Sequence, residues 1–208
     1  MLRSKTHSCI LRCYLVFCNK SMMSSFKIIS VTGAHSGVGK TTLCSVLLNN
    51  LQGFGAIKFT KSLMYTSLND EDAVLMQKNK DTAILSESGA ERVVWIQSPV
   101  SGLEKALNIA IGKMENLPGV VIEGNSPVDF IDPHLILFVI GQNGEIKPSA
   151  SKLVKKADII IFNSEADEAF PPILDRMQHD NKKIFRINLA NKTGEIDKLT
   201  TYVKKYIV

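Results

Sequence analysis

The sequence predicts a three-layer α/β fold, a mostly parallel sheet with helices on both faces. Three observations predict it. From Phe26 onward, short β-branched runs alternate with stretches of helical spacing. The runs ADIIIFN and GVVIEGN are apolar without alternation, as expected of strands covered on both faces. A glycine-rich junction, GAHSGVGKTT, joins the first strand to the first helix.

The expected strands are Phe26–Thr32, Gly55–Phe59, Arg92–Gln97, Gly119–Glu123, Leu135–Ile140, Asp158–Asn163 and Lys183–Ile187, each rich in Val, Ile or Phe. Between them, Thr41–Leu51 places Leu43, Val46, Leu47 and Leu51 at helical spacing. Ser101–Leu117 does the same with Leu103, Ala106, Leu107, Ala110 and Met114. Pro171 and Pro172 open a further helix running to about Gln178, since proline suits a first helical turn. Gly194–Ile207 closes the chain with Ile196, Leu199, Val203 and Ile207 on one stripe. Strands joined through helices imply right-handed crossovers and a parallel sheet.

The chain has 208 residues, 45% hydrophobic and 22% charged, the composition of one globular domain. Residues 23–208 are expected to form that domain. Residues 1–22 read as an N-terminal extension, with translation starting at Met22 or Met23 or with the segment a targeting or disordered tail. No site is assigned to its three cysteines. The net charge of +5 owes much to Arg3, Lys5, Arg12 and Lys20 in that tail, and all 20 acids lie at or beyond Asp70. A nucleic-acid partner is therefore not expected. No apolar run approaches the roughly 20 residues of a membrane span, so no membrane partner is expected either. Four cysteines make no disulfide scaffold and point to a reducing compartment, the cytoplasm.

The first strand-to-helix junction carries the chemistry. A phosphate-binding loop needs a strand end, a glycine-rich turn and a helix N-terminus in that order, and KIISVT, GAHSGVGKTT and TLCSVLLNNL supply them. Gly33, Ala34, His35, Ser36, Gly37, Val38, Gly39, Lys40, Thr41 and Thr42 form this loop and first turn. Its backbone amides converge on an anion, and the helix adds about half a positive charge there. Lys40 reaches the β- and γ-phosphates, and the Thr41 hydroxyl ligates Mg²⁺. The strict pattern G-x4-G-K-[ST] places Ala34 at its first position, with Gly33 one residue earlier. His35 reads as a loop residue with a solvated ring.

A phosphate loop also needs a carboxylate near the metal, usually at the end of an apolar strand. Glu123, at the end of GVVIE, is the candidate; otherwise it caps the strand and faces solvent. Thr41 and Glu123 are the expected metal pair.

The segments GAHSGVGKTTL, GAIKFTK, KDTAILSESGAERVVWI and VVIEGN together resemble the molybdopterin-guanine dinucleotide biosynthesis protein B (MobB) family. More broadly, they resemble the P-loop NTPase branch that includes dethiobiotin synthetase. The resemblance spans Phe26 to Asn125 and extends loosely into the last third. It implies nucleoside triphosphate binding and hydrolysis, GTP before ATP, in molybdenum cofactor biosynthesis, with a cofactor-maturation protein as partner and a homodimer. The synthetase branch implies instead ATP-dependent transfer to a small carboxylate. A non-hydrolysing nucleotide-dependent adaptor is the third alternative. Where the family continues its second strand as Lys-His, this chain reads Lys58-Phe59-Thr60-Lys61. It also lacks a guanine-reading NKxD; Asn163-Ser164-Glu165 with Asp167 comes nearest, and Asn163 is expected to face the base edge.

Lys58, at a strand end beside the loop, either offers a cation to a second anionic group or faces solvent. Asp81 either positions Mg²⁺ or water, or caps the helix TAILSESG. Lys40, Glu123 and Asp81 make up the expected catalytic set. Asp70, Glu71 and Asp72 read as a solvated turn.

Overall fold

A computed structural model describes residues 26–77, 80–165, 168–179 and 182–207. The expected N-terminal extension and Asp167 lie outside the described residues. The order is β1 (Lys27–Gly33), α1 (Lys40–Leu48), β2 (Gly55–Lys61), β3 (Ser67–Asn69), α2 (Asp72–Leu75), α3 (Asp81–Glu87), β4 (Val93–Ser98), α4 (Val100–Gly112) and β5 (Gly119–Glu123). Then follow β6 (Leu135–Gly141), α5 (Ser151–Lys156), β7 (Ile159–Asn163), α6 (Pro172–His179), β8 (Lys183–Asn188), β9 (Thr193–Gly194) and α7 (Ile196–Ile207). The strands form one sheet in the order β3-β4-β2-β5-β1-β6-β7-β8-β9. Its seven inner strands are parallel, and the short marginal strands β3 and β9 run antiparallel to their neighbours.

All seven expected strands are present, each within two residues of its expected ends. Two helices end early. Helix α4 stops at Gly112 because the chain tightens, with Met114 N donating to Ile111 O and Leu117 N to Met114 O, before Pro118 forbids a helical Leu117. Helix α1 stops at Leu48 in the same way, with Asn50 N donating to Leu47 O. The last helix starts at Ile196, since Gly194 belongs to β9 at φ +97. Of the expected acidic turn, Asp72 opens α2, while Asp70 pairs with Lys113 at 2.5 Å.

Two packed layers hold the sheet. On one face Ile29, Val31, Ala56, Val93 and Val121 meet Leu43, Cys44 and Leu47 of α1 and Leu85 of α3. On the other, Ile57, Val94, Ile96, Val120 and Ile122 meet Leu103, Ala106, Leu107 and Ala110 of α4 and Met114 in the turn that follows it. Nearly all of these side chains are fully buried, each contributing about 1.5–3 kcal/mol for the larger aliphatics. Burial on both faces accounts for the unbroken apolar runs. Among the described residues no helix is long and apolar enough to cross a membrane.

From β1 the chain moves first toward β2 and later, from β6, the opposite way. The sheet therefore has a switch point at the carboxyl end of β1, where α/β folds open a ligand crevice. Register does the rest. Val31 of β1 lies beside Glu123 of β5, and Glu123 beside Lys58 of β2, so all three side chains leave the same face.

Candidate phosphate and metal site

The loop after β1 wraps around a focal point. Ala34 N donates to Val139 O at 2.8 Å, and Ala34 O accepts from Lys147 N at 3.1 Å. Asn125 behaves as an extra strand residue: its Oδ1 accepts from Gly33 N and its Nδ2 donates to Gly33 O, both at 2.9 Å. Asn163 clamps the far side, its Nδ2 donating to Val38 O at 3.1 Å and its Oδ1 accepting from Leu189 N at 2.9 Å. The loop is thus held from outside. Among the described residues the amides of His35 to Gly39, and those of Lys40 and Thr41 in the first turn, donate to no protein acceptor. Converging unpaired amides at a helix N-terminus form an anion cradle.

Five side chains complete the site. Lys40 Nζ donates to His35 O at 3.0 Å, folded back over the loop. The Thr41 hydroxyl lies 3.1 and 3.0 Å from the two Glu123 carboxylate oxygens. Lys58 pairs with Glu123 and, at 2.7 Å, with Asp81. Burial lowers the Lys40 pKa, against the opposing pull of Glu123. Burial also works against the Lys58 ammonium, but Glu123 and Asp81 outweigh it and hold its pKa above the usual lysine value. Burial pushes the Cys44 thiol well up, so it serves as a small apolar residue of α1.

No protein-family model matches this chain, and no curated protein sequence matches it. Solved structures do. LAO/AO transport system kinase superposes with a TM-score of 0.55 at 16% identity, over 97% of this chain and 66% of that one. HypB from Helicobacter pylori, in complex with nickel, gives 0.52 at 14% identity, over 95% and 94%. Hydrogenase maturation factor HypB from Archaeoglobus fulgidus gives 0.51 at 15%, over 96% and 100%. The chain has the P-loop NTPase fold.

Within that fold, Ala34, His35, Ser36, Gly37, Gly39, Lys40, Thr41 and Thr42 line one cavity of about 620 Å³ together with Lys58, Asp81 and Glu123. Gly33 ends β1, and Val38 is a buried residue of the P-loop that lines a neighbouring cavity. Asn163 lies in a neighbouring cavity of about 450 Å³ beside Gly141, Gln142 and Asn143, its amide engaged with backbone at both ends. His35 Nδ1 donates to Ser36 O at 2.7 Å, so its ring is tied to the P-loop.

Three alternatives resolve. Glu123 does not face solvent: it is 2% exposed and points at Thr41. Lys58 does not face solvent either, its side chain being only 12% exposed. Asp81 is not the helix cap. Lys80 occupies that position, α3 has no side-chain cap, and the Asp81 carboxylate turns to Lys58.

The alanine at the first motif position is tolerated because Ala34 does not have a positive φ, whereas Gly37 and Gly39 do, at +77 and +103. Gly33 is the glycine that close packing requires. A Cβ there would lie 2.6 Å from Val38 Cγ1 and 3.1 Å from Lys40 Cγ. Gly33→Ala is therefore expected to cost about 1–3 kcal/mol of stability and to displace Lys40, as overpacking does. Urea denaturation checks the first effect and nucleotide titration the second.

Asn125 and Lys147 escaped the sequence reading. The signal for Asn125 was present in VVIEGN. Gly124, at φ +144, lets the chain continue past Glu123, so the next residue falls beside Gly33. Lys147 acts through its backbone, which side-chain chemistry does not announce.

Proposed function

We propose that this chain binds a nucleoside triphosphate together with Mg²⁺ and catalyses attack of water on the γ-phosphate. The observation that carries this reading is the unpaired amide cradle beside the Thr41 hydroxyl and the buried Glu123 carboxylate. The cavity wall offers Lys40, Lys58, Lys61 and Lys147 against Asp81 and Glu123, an excess of positive charge suited to a polyphosphate. Backbone amides of residues 35–41 and the Lys40 ammonium hold the phosphates.

The donor set fits a magnesium ion. Hydroxyl and carboxylate oxygens from Thr41, Glu123 and Asp81 already converge on one cation, the Lys58 ammonium. Thr41 and Glu123 would hold the ion, which supplies charge neutralisation at the phosphates. In this reading Asp81, half exposed at the cavity wall, orients the attacking water. Positioning and charge account for most of such catalysis, so turnover of the isolated protein is expected to be slow.

GTP is the preferred nucleotide in this reading, on the resemblance of motif order, with Asn163 on the base side of the P-loop. The same resemblance, resting on the KDT…GA segment, supports a role in molybdenum cofactor maturation, with a protein of that process as partner and a homodimer as the unit. A calorimetric titration with GTP and with ATP, each with and without Mg²⁺, is expected to show Mg²⁺-dependent binding with GTP tighter. Binding of neither overturns the reading. One observation favours a second reading, phosphoryl transfer to a small carboxylate: the cavity continues past the P-loop to Lys61, Ser126 and Ser149, room for an anionic acceptor. Phosphate release that requires such an acid would decide for it.

A further inference from the structure

We propose that Lys58 is a tethered counter-ion seated where the divalent cation belongs, so that metal entry and a swing of this side chain are one event. The inference rests on the assignment of Thr41 and Glu123 as the metal pair. Three oxygens from three separate elements meet on one nitrogen. Thr41 Oγ1 lies 3.4 Å from Lys58 Nζ, Asp81 Oδ2 lies 2.7 Å away, and Glu123 Oε1 is in direct contact. The side chain is 12% exposed, so the ammonium lies within the site and not at its rim. The in-register pairing of Lys58 with Glu123 across β2 and β5 brings it there by sheet geometry alone.

The two cations exclude one another. Magnesium sits about 2.0–2.1 Å from its oxygen ligands. An ion that close to both Thr41 Oγ1 and Glu123 Oε1, on the side of the pair that faces Asp81 and the ammonium, overlaps the nitrogen that lies 3.4 Å from the first and in direct contact with the second. Lysine suits an exchangeable role, because its ammonium is a compact point charge on a flexible four-carbon stem. Once displaced, it moves into the open cavity, where the terminal phosphate of a bound triphosphate gives it a new anionic partner. Metal alone must therefore break a paired ammonium from two carboxylates, whereas metal with triphosphate need not leave that ammonium unpaired. Each then raises the affinity of the other, a coupling that is reciprocal.

The test uses Mn²⁺ as the probe, with binding to the full chain followed by electron paramagnetic resonance without nucleotide. Lys58→Met is expected to bind Mn²⁺ at least about tenfold more tightly than the unmodified protein, because two carboxylates lose their competing cation. Adding Thr41→Ala is expected to abolish that gain, which places the ion at this seat. Equal or weaker Mn²⁺ binding by Lys58→Met overturns the proposal. A second measurement needs no variant. Peptide-level mass spectrometry after brief lysine acylation is expected to show Lys58 labelling rise when Mn²⁺ is added, and unchanged labelling likewise overturns it. Since both are read without nucleotide, a failure here is distinguishable from a failure of triphosphate binding.

Discussion

Replacing Lys40 with alanine is expected to weaken triphosphate binding at least about 100-fold while leaving the fold intact, since charge-assisted hydrogen bonds to phosphate are worth about 1.5–3 kcal/mol each. The protein has little use for this ammonium apart from a ligand. Among the described residues its hydrogen bond goes to the His35 carbonyl of its own loop, and burial disfavours its charge. Removing it relieves that penalty, so thermal melting is expected to stay within a few degrees of the unmodified protein. Calorimetry with Mg²⁺ and nucleotide measures the affinity. Undiminished binding would detach the loop from phosphate recognition altogether.

Glu123→Ala is expected to fail twice. Phosphate release drops at least about 100-fold, as when a preorganised charge contact is removed, and stability falls by about 3 kcal/mol because a buried pair is broken. The second loss arises because the carboxylate is almost wholly buried and serves both Thr41 and Lys58. Glu123→Gln separates the two effects. It keeps the shape and one acceptor, so it is expected to recover part of the stability but not the Mg²⁺-dependent turnover. Urea denaturation and a phosphate-release assay across a Mg²⁺ titration measure each in turn. Retained Mg²⁺-dependent turnover in the alanine variant would remove Glu123 from the metal pair.

Much of this was legible before any coordinates. The runs ADIIIFN and VVIEGN announced buried strands because the residues that make such strands must be apolar on both sides. The loop was legible because glycine, lysine and threonine at fixed spacing leave few other uses. What stayed hidden was pairwise. The relation between Lys58, Asp81 and Glu123 depends on β2 lying next to β5 and on α3 starting above them, facts of topology that no local pattern contains. The cap alternative for Asp81 was reasonable locally, but its carboxylate turns instead to the Lys58 ammonium 2.7 Å away. Strands of two or three residues, such as β9 and β3, are too short to show periodicity at all.

Those two brief marginal strands have a consequence for the molecule in company. A parallel array that ended on a long bare strand would present a row of unsatisfied N–H and C=O groups, an invitation to stack with its own kind. Here each side is finished by a short segment running the other way. The backbone ladder is thus shortened at each margin to the part that these segments leave uncovered. Along those covered stretches, a neighbouring copy meets side chains before it meets the ladder.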